Sequence, residues 1–374
     1  MSESIKRASW LELFYDLAFV ALVAQLTYLA ADHHNDVTDL LNIFLIGYMI
    51  FTAWWGTTAN RNLQESEDVT DKIMVQLQMA GAFIMSIAMP GVFEGEVGPF
   101  LASFAIVRGL QILMILRLYR LYPDQKPVTQ NILQGIVVAT VLWVAAGFVE
   151  APYGYIVAFA ALALDILTPL STGKGNQIRL LNIGHLQERL GLFLMLVIGE
   201  SMLVVALANT AVSAELERPF FVFSGLIMMI GLWWVYYWHL ERLGEGVRPK
   251  NLFLYLHAHG FLFGSIILLA AGYKNMIKHG EAYTADFLLV TAGAIGVTIT
   301  LTVIRNALHG RLRRLTFMSV PSVILIGLIA WWALMHGYTT EAIGIYTVLM
   351  AVLALVDVKV LNSIANRLAL ESEE

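Results

Sequence analysis

Apolar residues run through this chain in long blocks, not in the short alternation of half-buried strands. A helix that crosses a bilayer needs about 20 mostly apolar residues. Blocks of that kind lie near 10–30, 39–58, 72–91, 99–120, 130–149 and 153–170. Six more follow near 182–208, 219–240, 252–273, 284–307, 317–336 and 340–361. Polar connections of about 5–15 residues separate them, with turn formers at Pro123, Pro152, Pro219, Pro249 and Gly280. The pattern predicts an all-α integral membrane protein of about 12 transmembrane helices.

Composition narrows the function classes. Of 374 residues, 58% are apolar and 14% charged, with a mean hydropathy of +0.71. Soluble domains carry about 25% charged residues, so the polar surface that a water-soluble enzyme needs is missing. The formal charge of −5 is spread thinly over loops, with no basic face for nucleic acid. No cysteine is present, which excludes disulfides and thiolate metal sites. Membrane lipid is the partner that composition implies, and homo-oligomers stay open.

Positive residues set the expected orientation. Lys6, Arg7, Arg61, Lys72, Arg117, Arg120, Lys126, Lys174, Arg179, Arg242, Arg248, Lys250, Arg305, Arg311, Arg313, Arg314, Lys359 and Arg367 fall on one side, whereas Arg218, Lys274 and Lys278 fall on the other. The chain is therefore expected in a bacterial inner membrane with both termini cytoplasmic. Trp10, Trp54, Trp55, Trp233 and Trp234 are expected at the inner interface, and Trp331 and Trp332 near the outer one. Glu12 and Asp16 interrupt the first apolar block, so it is expected to be retained and not cleaved as a signal peptide.

The halves resemble each other. An offset of 179 sets Trp54-Trp55 on Trp233-Trp234, Gly81 on Gly260 and Ser86-Ile87 on Ser265-Ile266. Glu12 meets Glu188 at 176, and Arg117 meets Arg305 at 188. The expectation is two parallel six-helix repeats, 1–175 and 176–374, with sites at the interface between halves.

Ionisable groups within hydrocarbon are costly and are functional candidates by default. Glu12 and Asp16 lie one turn apart on one face of the first span. Two neighbouring carboxylates repel, and a shared proton or a cation would relieve them; capping the helix start is the plainer role. The seventh span carries His185, Glu188, Arg189 and Glu200. His185 and Glu188, three apart, can touch. Glu200 is the deepest carboxylate, and Arg108 the Arg at comparable depth, so an Arg108–Glu200 pair is expected as a gate or a structural tie, with Gln25 and Gln111 in the same layer. His257 and His259 point about 200° apart on a helix and cannot both grip one metal. Gln76, Gln78 and His257 join an inner polar layer, in which a titrating His suits proton movement, although a satisfied core His is the commoner case. Asp165 and Asp357, 192 apart, end their halves' last spans near the cytoplasmic edge, where solvation is expected.

Other motifs fail. Gly173-Lys174-Gly175 lacks the spacing of a phosphate loop. Asp32, His33, His34 and Asp36 read as a polar loop as readily as a metal site. Neither Gly-x-Ser-x-Gly nor His-Glu-x-x-His occurs. No enzyme, cofactor or metal is expected.

Two stretches carry a family resemblance. Trp10-Leu11-Glu12-Leu13-Phe14-Tyr15-Asp16-Leu17-Ala18-Phe19-Val20 is similar to the opening signature of the bacterial low temperature requirement protein A family. His185-Leu186-Gln187-Glu188-Arg189-Leu190-Gly191-Leu192-Phe193, continuing to Val197-Ile198-Gly199-Glu200-Ser201, resembles its second signature. Tyr15 and Leu190 stand where Phe is usual. The resemblance implies a twelve-span layout over the whole chain and brings no settled activity. Phe14-Tyr15-Asp16 is also similar to the Phe-Ser-Asp motif of potassium channels built from six-span repeats, but Leu190-Gly191-Leu192 in the second half lacks the Asp.

The expected function is a proton- or ion-linked secondary transporter whose substrate, an ion or small molecule, is unnamed. Asp16 and Glu12 would bind a proton or cation near His257 and Glu188. The alternatives are an ion channel of two six-helix repeats and a membrane sensor or lipid-handling protein.

Overall fold

The computed structural model describes residues 7–34, 36–64, 68–168, 181–210, 219–243, 247–309 and 313–373. Lys6, Lys174, Arg179, Arg218 and Arg311, with the Gly173-Lys174-Gly175 run and the expected boundary at 175, lie outside the described residues. Among the described residues there are twelve α-helices and no strand. They are α1 (Trp10–Asp32), α2 (Val37–Leu63), α3 (Val69–Phe93), α4 (Val97–Leu121), α5 (Lys126–Ala146) and α6 (Tyr153–Leu167). Then come α7 (Ile183–Thr210), α8 (Pro219–Leu243), α9 (Leu252–His279), α10 (Thr284–His309), α11 (Arg313–His336) and α12 (Thr339–Glu373).

Among the described residues, ten helices are long and apolar enough to cross a membrane. Two expected spans are shorter: α6, and the Val320–His336 stretch of α11. The 15 residues of α6 rise about 22 Å, less than the roughly 30 Å of a hydrocarbon core.

The chain forms two compact units, Met1–Phe193 and Leu194–Glu374, which divide within α7. In the first, α1 packs on α2 and α3, α2 on α4 and α6, α3 on α4, α4 on α5, and α5 on α6. The helices present apolar side chains outward as well as inward, and the buried polar groups sit among apolar ones. On α3, Ile73, Leu77, Ile84 and Ile87 are exposed while Asp71 and Gln78 are buried. Asp68 caps α3 by accepting from Asp71 N–H at 2.9 Å, and Asp36 caps α2 by accepting from Thr38 N–H at 2.9 Å. Asp32 thus ends α1 and Asp36 caps α2, with His33 stacked on Phe93.

The second unit rests on the α9–α10 pair. Gly280, at φ +80°, closes α9 in the left-handed conformation that favours glycine. The two helices approach closely where Gly293 faces Ser265 and Leu269. A Cβ on Gly293 would stand 2.8 Å from Leu269 N and 2.8 Å from Ser265 O, both backbone atoms that cannot yield. Interfaces of small residues are how helices associate in lipid, where no hydrophobic force drives them together. Gly293→Ala is therefore expected to lower the thermal midpoint of the detergent-solubilised protein, at a cost on the order of 1–3 kcal/mol. Gly264→Ala, whose Cβ meets nothing within 4 Å, should hold or raise it. Thermal scans of the two variants check this, and equal midpoints would refute the close approach.

Candidate functional site

The site lies at the end of the first unit from which α1 starts, called the near end below. Ser9 and Glu12 form a capping box there: Ser9 N–H donates to Glu12 Oε2 at 2.8 Å, and Glu12 N–H to Ser9 Oγ at 3.3 Å. Glu12 and Asp16 then stand two and six residues into α1. His185 and Arg189 stand two and six residues into α7. Both helices start from the near end, so an i, i+4 pair on one meets an i, i+4 pair on the other.

The result is two rungs. His185 Nε2 lies 3.3 Å from Glu12 Oε2, and Arg189 Nη2 donates to Asp16 Oδ1 at 2.7 Å. All four side chains are withdrawn from the surface, at 3% exposure for Glu12, 0% for Asp16 and His185, and 1% for Arg189. The expected His185–Glu188 contact is absent because Glu188 leaves the same helix on its exposed side, where it accepts from Ala8 N–H at 3.0 Å.

Helix α2 supplies the walls. Trp54 Nε1 donates to Asp16 Oδ1 at 2.7 Å, and Thr58 Oγ1 lies 3.4 Å from Arg189 Nη2. Trp54 also stacks on Phe193 at 4.4 Å, with the Arg189 guanidinium 6.0 Å from its ring centre. Trp54 is thus wholly buried and no part of an interfacial belt. The reason is its Nε1–H, which in an apolar interior requires an acceptor and finds the carboxylate. Trp10, by contrast, is 86% exposed.

Asn62 fixes the histidine. Its Oδ1 accepts from Asn182 N–H at 2.9 Å, which turns its amide nitrogen towards His185 Nδ1 at 3.2 Å. Nδ1 is therefore the acceptor, and the ring proton sits on Nε2, facing Glu12. Asn182 in turn accepts from His185 N–H at 3.0 Å and caps α7. Each rung leaves acceptors over: Glu12 Oε1 and Asp16 Oδ2 are buried without a hydrogen-bond partner, as are Nε and Nη1 of Arg189.

Deeper in the unit, Gln111 Nε2 donates to Ala53 O and to Thr57 Oγ1, and Thr57 Oγ1 donates to Gln78. Tyr15 O–H reaches the same Ala53 carbonyl at 3.1 Å. Of the expected inner layer, Gln78 is buried and Gln76 faces outward; of the layer expected with Arg108, Gln111 is buried and Gln25 half-buried. Arg61, read as a loop cation, is buried in the last turn of α2 and donates to Gln64 Oε1 at 2.7 Å. Arg117 ties the end of α4 to Asp68 and Asp71 at the start of α3.

Arg108 does not serve Glu200. Its guanidinium bonds Asp165, and its Nε donates to Thr140 Oγ1 at 3.2 Å. Trp143 Nε1 donates to the other Asp165 oxygen at 2.8 Å. Asp165 is buried as well, and not solvated at a helix end. The cause is depth: Arg108 lies 11 residues into α4 and Asp165 12 residues into α6, about 16 and 18 Å from the far end at which both helices start.

In the second unit Glu200 is half-buried in mid-α7, and His257 is half-buried, edge-on to Phe253. His259 is a satisfied core histidine. Its Nδ1–H donates to Tyr255 O at 2.7 Å, and its Nε2 lies 2.9 Å from the Tyr236 hydroxyl.

Residues 7–356 match the family described as bacterial low temperature requirement A protein. The chain belongs to that family. It is a multi-pass membrane protein, and both rungs fall within the matched residues. It is similar to an uncharacterised protein of Rhizobium meliloti (strain 1021), 24% identical over 308 residues that cover 77% of this chain and 74% of the relative.

Removing one member of a buried ion pair leaves the other charge unpaired, at about 3–5 kcal/mol. Asp16→Asn and Arg189→Gln are each expected to lower the unfolding midpoint in detergent. The double variant should recover much of the loss, with a coupling on the order of 1–3 kcal/mol in the thermodynamic cycle. Additive losses would show that the two side chains do not depend on each other.

Proposed function

We propose that this family member is a proton-linked secondary transporter in which the Glu12–His185 and Asp16–Arg189 rungs bind the coupling proton. The observation that carries the reading is the double rung itself. Two carboxylates are buried on one helix face, each with one oxygen held by a basic side chain of α7 and one oxygen unpartnered. Buried ionisable groups inside a membrane domain mark ion and proton paths. With at most 3% of any of these side chains exposed, the species that suits the rungs is a proton, which needs no cavity.

A proton arriving on Asp16 would neutralise its charge-assisted bond to Arg189, the stronger kind of hydrogen bond. A proton on His185 must go to Nδ1, since Nε2 already carries one towards Glu12; it would make the rung to Glu12 charge-assisted and break the bond that Asn62 donates to Nδ1. The two rungs therefore respond to a proton in opposite senses, which biases the seating of α7 against α1. Because α7 is one continuous helix, such a shift is carried along it to Glu200. The entry side is the near end, which the positive residues assign to the cytoplasm.

Two further observations support the reading. Several helix neighbours recur in both units, second on third and sixth, third on fourth, fourth on fifth and fifth on sixth, counting α7 as the first helix of the second set, while first on second and third and second on fourth are found in the first unit. This agrees with a duplicated six-helix unit, a common transporter plan. Against a channel, Asp16 is committed to Trp54 and Arg189 instead of facing an open path.

Proton movement into proteoliposomes of the pure protein, read by an interior pH dye under imposed K⁺, Na⁺ and H⁺ gradients, tests the proposal. Saturable proton flux is expected from the wild type and from Gln76→Ala, whose side chain faces outward. Glu12→Gln and the Asp16→Asn/Arg189→Gln pair should fall to the level of empty liposomes. Flux unchanged in these variants, flux that follows voltage without saturating, or silence of the wild type across all gradients would each overturn it.

A further inference from the structure

The far end of the first unit, opposite the rungs, holds a cavity of about 210 Å³ between α2, α4, α5 and α6. An apolar cavity of about 150 Å³ is enough to hold benzene. Met49, Phe100, Trp143 and Ala158 line it, and no charged side chain does. Its polar feature is one pair: Tyr155 O–H donates to Asn42 Oδ1 at 3.0 Å. That bond leaves the lone pairs of the Tyr155 oxygen and the amide N–H groups of Asn42 as complementary acceptor and donors. The indole nitrogen of Trp143 is committed to Asp165, so the ring brings apolar surface to the cavity.

We propose that this cavity is a binding site for a small uncharged molecule, about the size of a substituted aromatic ring, that carries one hydroxyl or comparable hydrogen-bonding group. Size, wall chemistry and the lone polar pair each point to it. An anion would lie against apolar walls without a counter-ion and near Asp36 and Asp39, whose charges reach Tyr155, which is prohibitively costly. A ligand without a polar group would forgo the Tyr155–Asn42 pair. A lipid chain must run through half a bilayer, about 15 Å of hydrocarbon, whereas the volume here suits something shorter. Binding at this site would be sensed inward, because Trp143 both lines the cavity and holds Asp165, the partner of Arg108. The site stands independently of the proton reading, since its test reads binding and not flux.

Fluorine NMR of the detergent-solubilised protein with 4-fluorophenol, fluorobenzene and 4-fluorobenzoate tests this. The wild type should bind 4-fluorophenol saturably and leave 4-fluorobenzoate free. Tyr155→Phe should weaken 4-fluorophenol about three- to tenfold, the worth of one hydrogen bond, and leave fluorobenzene unchanged. Ala158→Phe, which fills the cavity, should abolish binding of both neutral probes while the thermal midpoint shows that the variant is folded. If Ala158→Phe does not fold, the Tyr155→Phe contrast decides alone, and an unchanged ratio of the two neutral probes would sink the proposal. No saturable binding by the wild type, equal binding of the benzoate, or a co-purified phospholipid found by native mass spectrometry in place of phenol binding would also overturn it.

Discussion

A guanidinium and a carboxylate that meet out of reach of water set the terms for the first unit. Taking either charge from water into an interior costs several kcal/mol, and the contact between Arg189 and Asp16 recovers that cost only if both side chains arrive at one depth. Six residues into α1 must therefore lie opposite six residues into α7. The same register then brings His185 to Glu12 one turn nearer the end. Trp54 and Thr58 on α2 complete the coordination of the pair, so three helices are fixed against one another by a single electrostatic requirement. The capping residues Ser9 and Asn182 start α1 and α7 where that register needs them.

The rest of the unit's interior is organised as a descending series of the same kind. Beyond the rungs come neutral groups in a chain, Gln111 on the Ala53 carbonyl and on Thr57, and Thr57 on Gln78. Beyond those comes the second ion pair, Arg108 with Asp165. Arg108 and Gln111 lie three apart on α4 and share a face, which links the neutral layer to the second pair. Lipid-facing side chains such as Ile84 and Ile87 need satisfy nothing, so chemistry is free to collect on the inner faces.

The charges that matter were legible in the sequence because hydrocarbon makes any ionisable residue conspicuous: Glu12, Asp16, His185, Arg189 and Arg108 all stand out from their apolar surroundings. Their partners were not legible. Spacing along one helix suggests His185 with Glu188, yet the bonds run between helices, and which helix lies beside α1 is a tertiary fact. Asp165 was misplaced for a related reason. Its block reads as a full span, so its end reads as a membrane surface, whereas α6 is short and ends at the depth of Arg108. Trp54 and Arg61 mislead because their residue types are common at interfaces, and only a buried acceptor, the Asp16 carboxylate or Gln64, shows why each is inside. The helices themselves were legible because length and apolar content suffice to announce them.

The two units place their polar chemistry differently, and this bears on function. Both carry a buried histidine, but His185 faces a carboxylate, while His259 is closed between a tyrosine hydroxyl and a backbone carbonyl. His259 thus has two neutral partners, whereas His185 has one neutral partner, Asn62, and one carboxylate, Glu12. In the second unit the close packing of Gly293 on Ser265 and Leu269 supplies cohesion without any charge. The first unit thus ties its helices together through charge, and the second brings α9 and α10 together through a glycine. In the first unit α7 matters more than any single residue, since it bears both Arg189 and His185.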